Sequence, residues 1–264
     1  MNTQRGEIVV RKEGSVGWVI LSNPARHNAV TYAMWRAIPA ALRELEADPN
    51  VRVVAITGEG GEAFVSGGDI SEFETVRATR EGDEEYNRAV DEACMAPLRC
   101  SKPIVAKIHG FCMGGGLALA SACDVCIGSD EAVFRMPAAR LGVGYWYKGV
   151  ERLVRTLGPM NSADIFFSAR KFDAYEAQRM GLLARVVPRA ELDTEFAKYC
   201  AMVSENAPLT MVAAKAAIVA ALQDVHERDM PALEKVISRC WASDDYREGR
   251  DAFIEKRRPK FTGS

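Results

Sequence analysis

The 264-residue sequence contains no apolar run long enough to cross a bilayer, and its first residues contain no hydrophobic segment typical of a secretory signal. The best candidate for a membrane span, residues 110–122, is short and rich in glycine. It ends in Cys123-Asp124, a pattern that indicates a buried element. We therefore expect a cytoplasmic protein that does not associate with membranes.

Excess positive charge is also absent. The sequence has 34 Lys and Arg residues against 36 Asp and Glu residues, which gives a formal net charge of −2. Nucleic-acid binding needs a clear basic excess on the surface, so we expect no nucleic-acid partner. The sequence also lacks a G-x-S-x-G motif, which excludes the nucleophile turn of the α/β-hydrolases.

The cysteines do not form a disulfide or metal pattern. Their number is seven and their spacing is irregular, which argues against a disulfide framework. Cys123 and Cys126 form a single C-x-x-C with no second pair. We interpret them as buried thiols that pack like small apolar side chains, and we expect no metal site.

Strand and helix patterns alternate over the first two thirds of the chain, and helical patterns follow to its end. This order predicts an α/β fold with a helical C-terminal part. Thr31 is placed to cap a helix over residues 32–48, within which Pro39 predicts a kink or a break. The polar residues 78–85 predict a solvated loop or a mobile helix end before a helix over residues 86–96.

Two glycine-rich turns carry the strongest chemical signal. Ser66-Gly67-Gly68-Asp69 and Met113-Gly114-Gly115-Gly116 each follow a predicted strand and open a predicted helix. Without a Cβ atom the backbone is open to a ligand, and the first N–H groups of a helix have no partner within it. Two such turns facing each other supply two donors to one oxyanion. The alternative is a pair of tight turns, but glycine costs about 1 kcal/mol at each helical position, which favours a functional role.

Several segments resemble the crotonase (enoyl-CoA hydratase/isomerase) superfamily, in order along almost the whole chain. They are residues 23–29, 64–70, 102–106, 110–118 and 177–188, with a further match over residues 248–261. The resemblance implies a ClpP/crotonase-like spiral of ββα units over residues 1–200, followed by a C-terminal helical trimerisation region over residues 201–264. It also implies an acyl-CoA thioester as substrate, no separate cofactor, and a homotrimer or a dimer of trimers.

The resemblance assigns roles position by position. Gly68 and Gly115 would supply the oxyanion N–H groups. The adenine pocket would lie around Ser66, Asp69 and Ile70. The pantetheine and phosphate contacts would lie near Ala25, His27 and Ala29. Lys256 would reach the phosphates of a neighbouring subunit's ligand.

Two catalytic positions depart from the family pattern. Hydratases of this superfamily carry two glutamates that handle the water, and the matching positions here are Ala118 and Ala138. An alanine cannot transfer a proton, so the usual acid/base pair for hydration is absent.

The segment over residues 142–149 is bulky and aromatic, and it partly resembles methylmalonyl-CoA decarboxylase, which also has a tyrosine at the position of Tyr145. That enzyme has a histidine at the position of Gly68, and this chain does not. Tyr145 would orient a substrate carboxylate or donate a proton; alternatively, it packs as an aromatic lid on the acyl chain.

These observations lead to three functional hypotheses. The first is a lyase, such as a short-chain malonyl-type CoA decarboxylase, because loss of CO₂ gives an enolate without a base. The second is an enoyl-CoA hydratase or isomerase whose acid/base has moved to other residues. The third is a non-catalytic CoA-binding protein that kept the fold and lost the chemistry.

Overall fold

The computed structural model describes residues 6–264. Among these residues no helix is both long enough and apolar enough to span a membrane. The strands are β1 Glu7–Glu13, β2 Val16–Ser22, β3 Val53–Gly58, β4 Ala63–Val65, β5 Ile104–Ile108, β6 Phe111–Met113, β7 Val125–Ser129, β8 Val133–Arg135, β9 Lys171–Asp173 and β10 Arg185–Val187.

Helices connect these strands and form the C-terminal part. They are α1 Tyr32–Ala47, α2 Phe73–Val76, α3 Arg80–Arg99, α4 Gly115–Ala122, α5 Ala138–Leu141, α6 Tyr147–Leu157, α7 Pro159–Ser168, α8 Ala174–Arg179, α9 Leu192–Ser204, α10 Pro208–Ala221, α11 Met230–Trp241 and α12 Asp244–Ile254.

The strands form two sheets. The larger has the order β1-β2-β3-β5-β7-β10, in which the β1–β2 hairpin is antiparallel and every later pair is parallel. The smaller has the order β4-β6-β8-β9, with β4, β6 and β8 parallel. All six residues of β3 are buried, as expected for a central parallel strand covered on both faces.

The chain alternates between the two sheets as it advances. β3, β5 and β7 are neighbours in the larger sheet, and the strands that follow them, β4, β6 and β8, are neighbours in the smaller one. A helix follows each pair of strands. This repeated ββα unit is the spiral architecture expected from the sequence.

Helix α1 packs against the β1–β2 hairpin and against α3. Thr31 caps it by accepting a hydrogen bond from the Met34 amide at 3.2 Å, as predicted. The helix runs through Pro39 without a break, contrary to one of the two expected outcomes at that residue. Ile38 and Leu42, on either side of Pro39, are fully buried, so tertiary packing holds the helix together there.

One of the two outcomes expected at the polar residues 78–85 was wrong. They are not a loop but the N-terminal end of a helix: α3 begins at Arg80, six residues before the predicted start, and Thr79 caps it by accepting from the Gly82 amide at 3.1 Å. A short strand, β6, precedes the second glycine turn, and the sequence analysis did not identify it. Three residues are too short for a recognisable period-2 pattern, and pairing with β4 and β8 creates this strand.

The C-terminal helices α10, α11 and α12 follow α9 directly. The expected domain boundary at residue 200 falls inside α9, which ends at Ser204. The division of the chain into a core and an oligomerisation region stays a prediction.

Candidate active site

The two glycine turns lie side by side because their strands are neighbours. Val65 of β4 pairs in parallel with Cys112 of β6, so the turns that follow them emerge at the same edge of the sheet. A Cβ atom on Gly116 would lie 2.6 Å from Cβ of Val65. Glycine at position 116 therefore lets the first turn of α4 pack directly against the strand that leads into the other turn.

Each turn also needs one glycine for its backbone conformation. Gly67 has a φ of +115° and Gly114 a φ of +50°. L-residues with a side chain rarely adopt these angles. The positive φ at each glycine sets the orientation of the peptide group that follows it. That peptide group carries the Gly68 amide in the first turn and the Gly115 amide in the second.

Those two amides are free, whereas one neighbouring amide of each is paired. The Asp69 amide donates to the Val30 carbonyl at 2.9 Å, and the Gly114 amide donates to the Arg135 carbonyl at 2.9 Å. Within residues 6–264, neither the Gly68 nor the Gly115 amide donates a hydrogen bond. Gly115 is the first residue of α4, where an unpaired amide is intrinsic to the helix start.

Both amides border a single cavity of about 360 Å³. This volume falls within the range of small-molecule sites, and the wall is mostly apolar. Its lining includes Trp35, Ser66, Gly67, Gly68, Ile70, Phe73, Arg77, Tyr86, Asn87, Val90, Gly114, Gly115, Met136, Pro137, Ala138, Leu141, Val143, Gly144, Tyr145 and Trp146.

A hydrogen-bonded aromatic pair packs against the two glycines and lines the same cavity. A Cβ atom on Gly115 would lie 2.9 Å from Cζ2 of Trp35, and one on Gly68 would lie 2.5 Å from Oη of Tyr86. Trp35 Nε1 donates to Tyr86 Oη at 3.3 Å. Both side chains are almost completely buried, so the pair forms a fixed wall beneath the turns.

Tyr145 contacts the second turn and lines the cavity. Its hydroxyl donates to the Gly114 carbonyl at 3.4 Å, and its ring stacks on Trp146 with centroids 4.4 Å apart. Burial raises the pKa of this phenol well above its usual value, so it is neutral at physiological pH. The ring and the hydroxyl of Tyr145 thus both contact the site.

Asp69 fixes the first turn. Its carboxylate accepts from the Ser71 amide at 3.0 Å and forms an ion pair with Arg26 at 2.8 Å. Burial opposes the negative charge, but the hydrogen bonds from Ser71 and the Arg26 charge outweigh it and hold the pKa of Asp69 below its usual range. The helix it caps is only a three-residue 3₁₀ turn, Ile70–Glu72.

The other residues assigned to ligand binding divide into three groups by their position relative to the cavity. Ser66 and Ile70 line the cavity, and Ile70 is 65% exposed at its mouth. The segment that contains Ala25, His27 and Ala29 lies directly beside them, since the Ser66 amide donates to the His27 carbonyl at 3.1 Å. Lys256 lies beyond α12 and does not line the cavity, so its contact with a neighbouring subunit's ligand stays a prediction.

No carboxylate lines the cavity in the described part of the chain. Ala138 forms part of the wall, whereas Ala118 is buried in α4 outside it. Glu151, the nearest spare acid in the sequence, forms an ion pair with Arg155 at 2.9 Å and lines a different cavity. The protic side chains of the candidate site are therefore hydroxyl, amide, indole and guanidinium groups.

The sequence model of the enoyl-CoA hydratase/isomerase family matches residues 11–264. The chain belongs to this family. The "Short-chain-enoyl-CoA hydratase" of Clostridium acetobutylicum is 30% identical over 251 residues, which cover 95% of each protein. The "Crotonyl-CoA hydratase" of Syntrophomonas wolfei is 30% identical over 254 residues, which cover 96% of this chain and 97% of that protein.

A solved structure supports the same assignment to the enoyl-CoA hydratase/isomerase family. The "enoyl-CoA hydratase/ carnithine racemase" from Magnetospirillum magneticum superposes with a TM-score of 0.92 at 33% identity, covering 99% of this chain and 97% of that one. The chain is thus an enzyme of the crotonase superfamily. The named relatives are hydratases, so they favour the second hypothesis from the sequence over decarboxylation.

Sequence reasoning missed the side chains behind the turns of this family member. Trp35 belongs to α1 and Tyr86 to α3, and both read as ordinary buried positions on amphipathic helices. No local motif connects them with glycines that lie 80 or 18 positions away in the chain. A tyrosine on the apolar face of a helix was the one available signal, because a buried hydroxyl usually has a hydrogen-bonding role.

Proposed function

We propose that the chain binds an acyl-CoA thioester and stabilises the enolate of its acyl group with the amides of Gly68 and Gly115. The observation that carries this proposal is the pair of unpartnered amides beside one apolar cavity. Donors already oriented in a site that excludes water stabilise developing negative charge without reorganisation. Each donor of this kind contributes about 100- to 1,000-fold in rate.

Hydration or double-bond isomerisation of an enoyl-CoA is the leading reaction. In hydration the water gives up one proton as its oxygen bonds to Cβ, the pair of the C=C bond shifts to the bond between Cα and the carbonyl carbon, and the carbonyl pair moves onto the thioester oxygen. A proton then adds to Cα, and the carbonyl re-forms. The relatives named as enoyl-CoA hydratases support this choice. Since Ala118 and Ala138 cannot transfer protons, the acid/base groups have moved to other residues, and the phenols of Tyr86 and Tyr145 are the titratable acids that line the cavity.

Decarboxylation of a malonyl-type thioester is the second candidate. The specific observation in its favour is the absence of a carboxylate from the lining residues described above. Breaking the bond between Cα and CO₂ leaves its electron pair in the enolate, so the first step needs no base. A carboxylate at position 138 would repel the carboxylate of such a substrate, whereas alanine does not.

A product assay distinguishes these reactions. The protein is incubated separately with crotonyl-CoA, methylmalonyl-CoA and ethylmalonyl-CoA, and the products are identified by mass spectrometry. Gain of one water by crotonyl-CoA, or its conversion to an isomer of equal mass that chromatography separates, supports the leading reaction, and loss of CO₂ from a malonyl thioester supports the second. Tight binding of CoA with no turnover of any thioester would replace both with a non-catalytic CoA-binding protein.

The variant Ala138→Glu sharpens the assay because it places a carboxylate on the cavity wall. Hydration is expected to rise in this variant, since a carboxylate can activate water. Decarboxylation is expected to fall, because the new charge repels the substrate carboxylate. Ala139→Glu is the matched control, since Ala139 is exposed and does not line the cavity.

A further inference from the structure

We infer that the hydroxyl of Tyr86 is a third hydrogen-bond donor to the thioester oxygen, beside the amides of Gly68 and Gly115. This inference rests on the proposed function, because it names a further catalytic residue of the same site. It adds a side-chain donor to a site in which the other two donors are backbone groups.

The first observation is the unused proton of Tyr86. The residue is 4% exposed, and its oxygen already accepts a hydrogen bond from Trp35 Nε1. Among residues 6–264 no acceptor takes the hydroxyl proton in return. A buried hydroxyl donor without a partner is unfavourable, and the cavity that Tyr86 lines is the space where a ligand can supply the acceptor.

The second observation is where that oxygen lies. Tyr86 Oη would be 2.5 Å from a Cβ atom on Gly68, and the indole that donates to it lies against Gly115. The hydroxyl is therefore adjacent to the first turn and joined by one hydrogen bond to the side chain beneath the second. An oxygen bound by both amides lies in this neighbourhood.

The third observation is that the surroundings hold the phenol in place and keep it neutral. Its ring stacks on Tyr32, with centroids 6.1 Å apart, and meets Phe73 edge-on at 5.6 Å. Burial raises the pKa of Tyr86 above its usual value, although the hydrogen bond from Trp35 and the charge of Arg77 oppose that shift. A neutral phenol retains its proton and acts as a donor, which suits an oxygen that becomes negative in the reaction.

A pair of ligands that differ only at the carbonyl tests the inference. Butyryl-CoA carries the thioester oxygen, and S-butyl-CoA is the thioether without it. The dissociation constants of both are measured by calorimetry for the wild type and for Tyr86→Phe. We expect the preference of the wild type for butyryl-CoA to fall about 3- to 10-fold in the variant, the value of one neutral hydrogen bond.

Turnover of whichever thioester the wild type accepts gives a second readout. The value of kcat is expected to fall about 100-fold in Tyr86→Phe, because the donor acts most strongly on the charged enolate. Tyr32→Phe is the matched control, since this tyrosine packs on Tyr86 but does not line the cavity. Its ligand preference and its kcat should equal those of the wild type.

Tyr86→Phe leaves the Trp35 indole N–H without an acceptor, which could destabilise the protein. The double variant Trp35→Phe/Tyr86→Phe removes both partners, and the same fall in preference is expected of it. An unchanged preference in these variants, or equal weakening of both ligands, would overturn the inference and leave the proposed function intact. If the wild type binds neither ligand, the proposed function fails, and the inference fails with it.

Discussion

The two glycine turns hold their free amides by different means. The Gly115 amide belongs to the start of α4, an eight-residue helix, and the Cβ position of Gly115 faces the apolar ring of Trp35. The Gly68 amide belongs to an irregular segment bridged to Val30 and followed by a 3₁₀ turn, and the Cβ position of Gly68 faces the polar Tyr86 Oη. One donor is thus supported by a helix and its dipole, and the other by a capped turn and a side-chain hydroxyl.

This comparison shows that similar sequence motifs can produce equivalent donors in unlike surroundings. A helix start provides an unpaired amide by its geometry. The first turn reaches the same result through the pairing of Val30 with its neighbours, since Val30 bonds to the carbonyl of Gly67 and the amide of Asp69 and leaves the Gly68 amide between them free. Substitutions in and around the two turns can test whether their amides depend on different supports.

The largest effect is expected for Gly115→Ala. Its methyl group would lie 2.9 Å from Cζ2 of Trp35, so the turn must shift and the amide must leave its position. We expect kcat to fall about 100- to 1,000-fold, the cost of one oxyanion donor. Steady-state kinetics check this, with Gly61→Ala in a loop outside the cavity as the control. Activity near that of the wild type would show that α4 does not supply a donor.

A change of pH should weaken the support that both turns share. His109 is 2% exposed, and its carbonyl accepts from the Phe64 amide, so it lies where the strands leading to both turns meet. Burial, with the nearby charges of Arg189 and Lys107, lowers its pKa to about 4 from 6.5. The unfolded chain therefore binds the proton more readily between these values, and the free energy of unfolding falls as the pH drops through that window.

Protonation linked to His109 is expected to lower the free energy of unfolding by about 3 kcal/mol between pH 6.5 and 4, and to leave it unchanged above pH 6.5. Urea denaturation across this range measures it as the difference between the wild type and His109→Gln, because other groups titrate in both proteins. Parallel pH profiles for the two proteins would show that His109 does not protonate differently on folding.

The polar and apolar walls should respond differently to the same added methyl group. Gly68→Ala would place a methyl group 2.5 Å from Tyr86 Oη, but its next contacts would be ordinary ones of 3.8 and 3.9 Å. The substitution is expected to cost about 1–3 kcal/mol in unfolding free energy, and Tyr86→Phe should remove most of that cost.

The matched comparison is Gly115→Ala in the same Tyr86→Phe background. Its methyl group meets the Trp35 ring, which Tyr86→Phe leaves in place, so little rescue is expected. A double-mutant cycle for each glycine measures the two coupling energies. Equal coupling at both glycines would contradict the proposed difference between the walls.

The smallest effect is expected for Asp69→Ala, which removes the cap and the ion pair of the first turn. Loss of an N-cap costs about 1 kcal/mol in unfolding free energy. Asp173→Ala is the control, because Asp173 caps α8 by accepting from the Glu176 amide at 2.7 Å and lies outside the cavity. Both variants should lose similar stability, but only Asp69→Ala should weaken binding of butyryl-CoA in calorimetry.

Much of the fold could be predicted because its signals are local. The Thr31 cap of α1 and the two glycine turns can each be recognised from a few consecutive residues. Two elements escaped prediction, for different reasons. The polar start of α3 resembles a loop in composition, and β6 is a strand only because β4 and β8 pair with it.

The sequence alone determined the family, the ββα pattern and the two glycine turns, because these depend on residue types at short spacing. It also determined that Ala118 and Ala138 cannot transfer a proton. Only the tertiary structure decided what lies behind the turns, where Trp35 and Tyr86 come from separate helices. Their meeting follows from the packing of α1 against α3, which no spacing along the chain encodes.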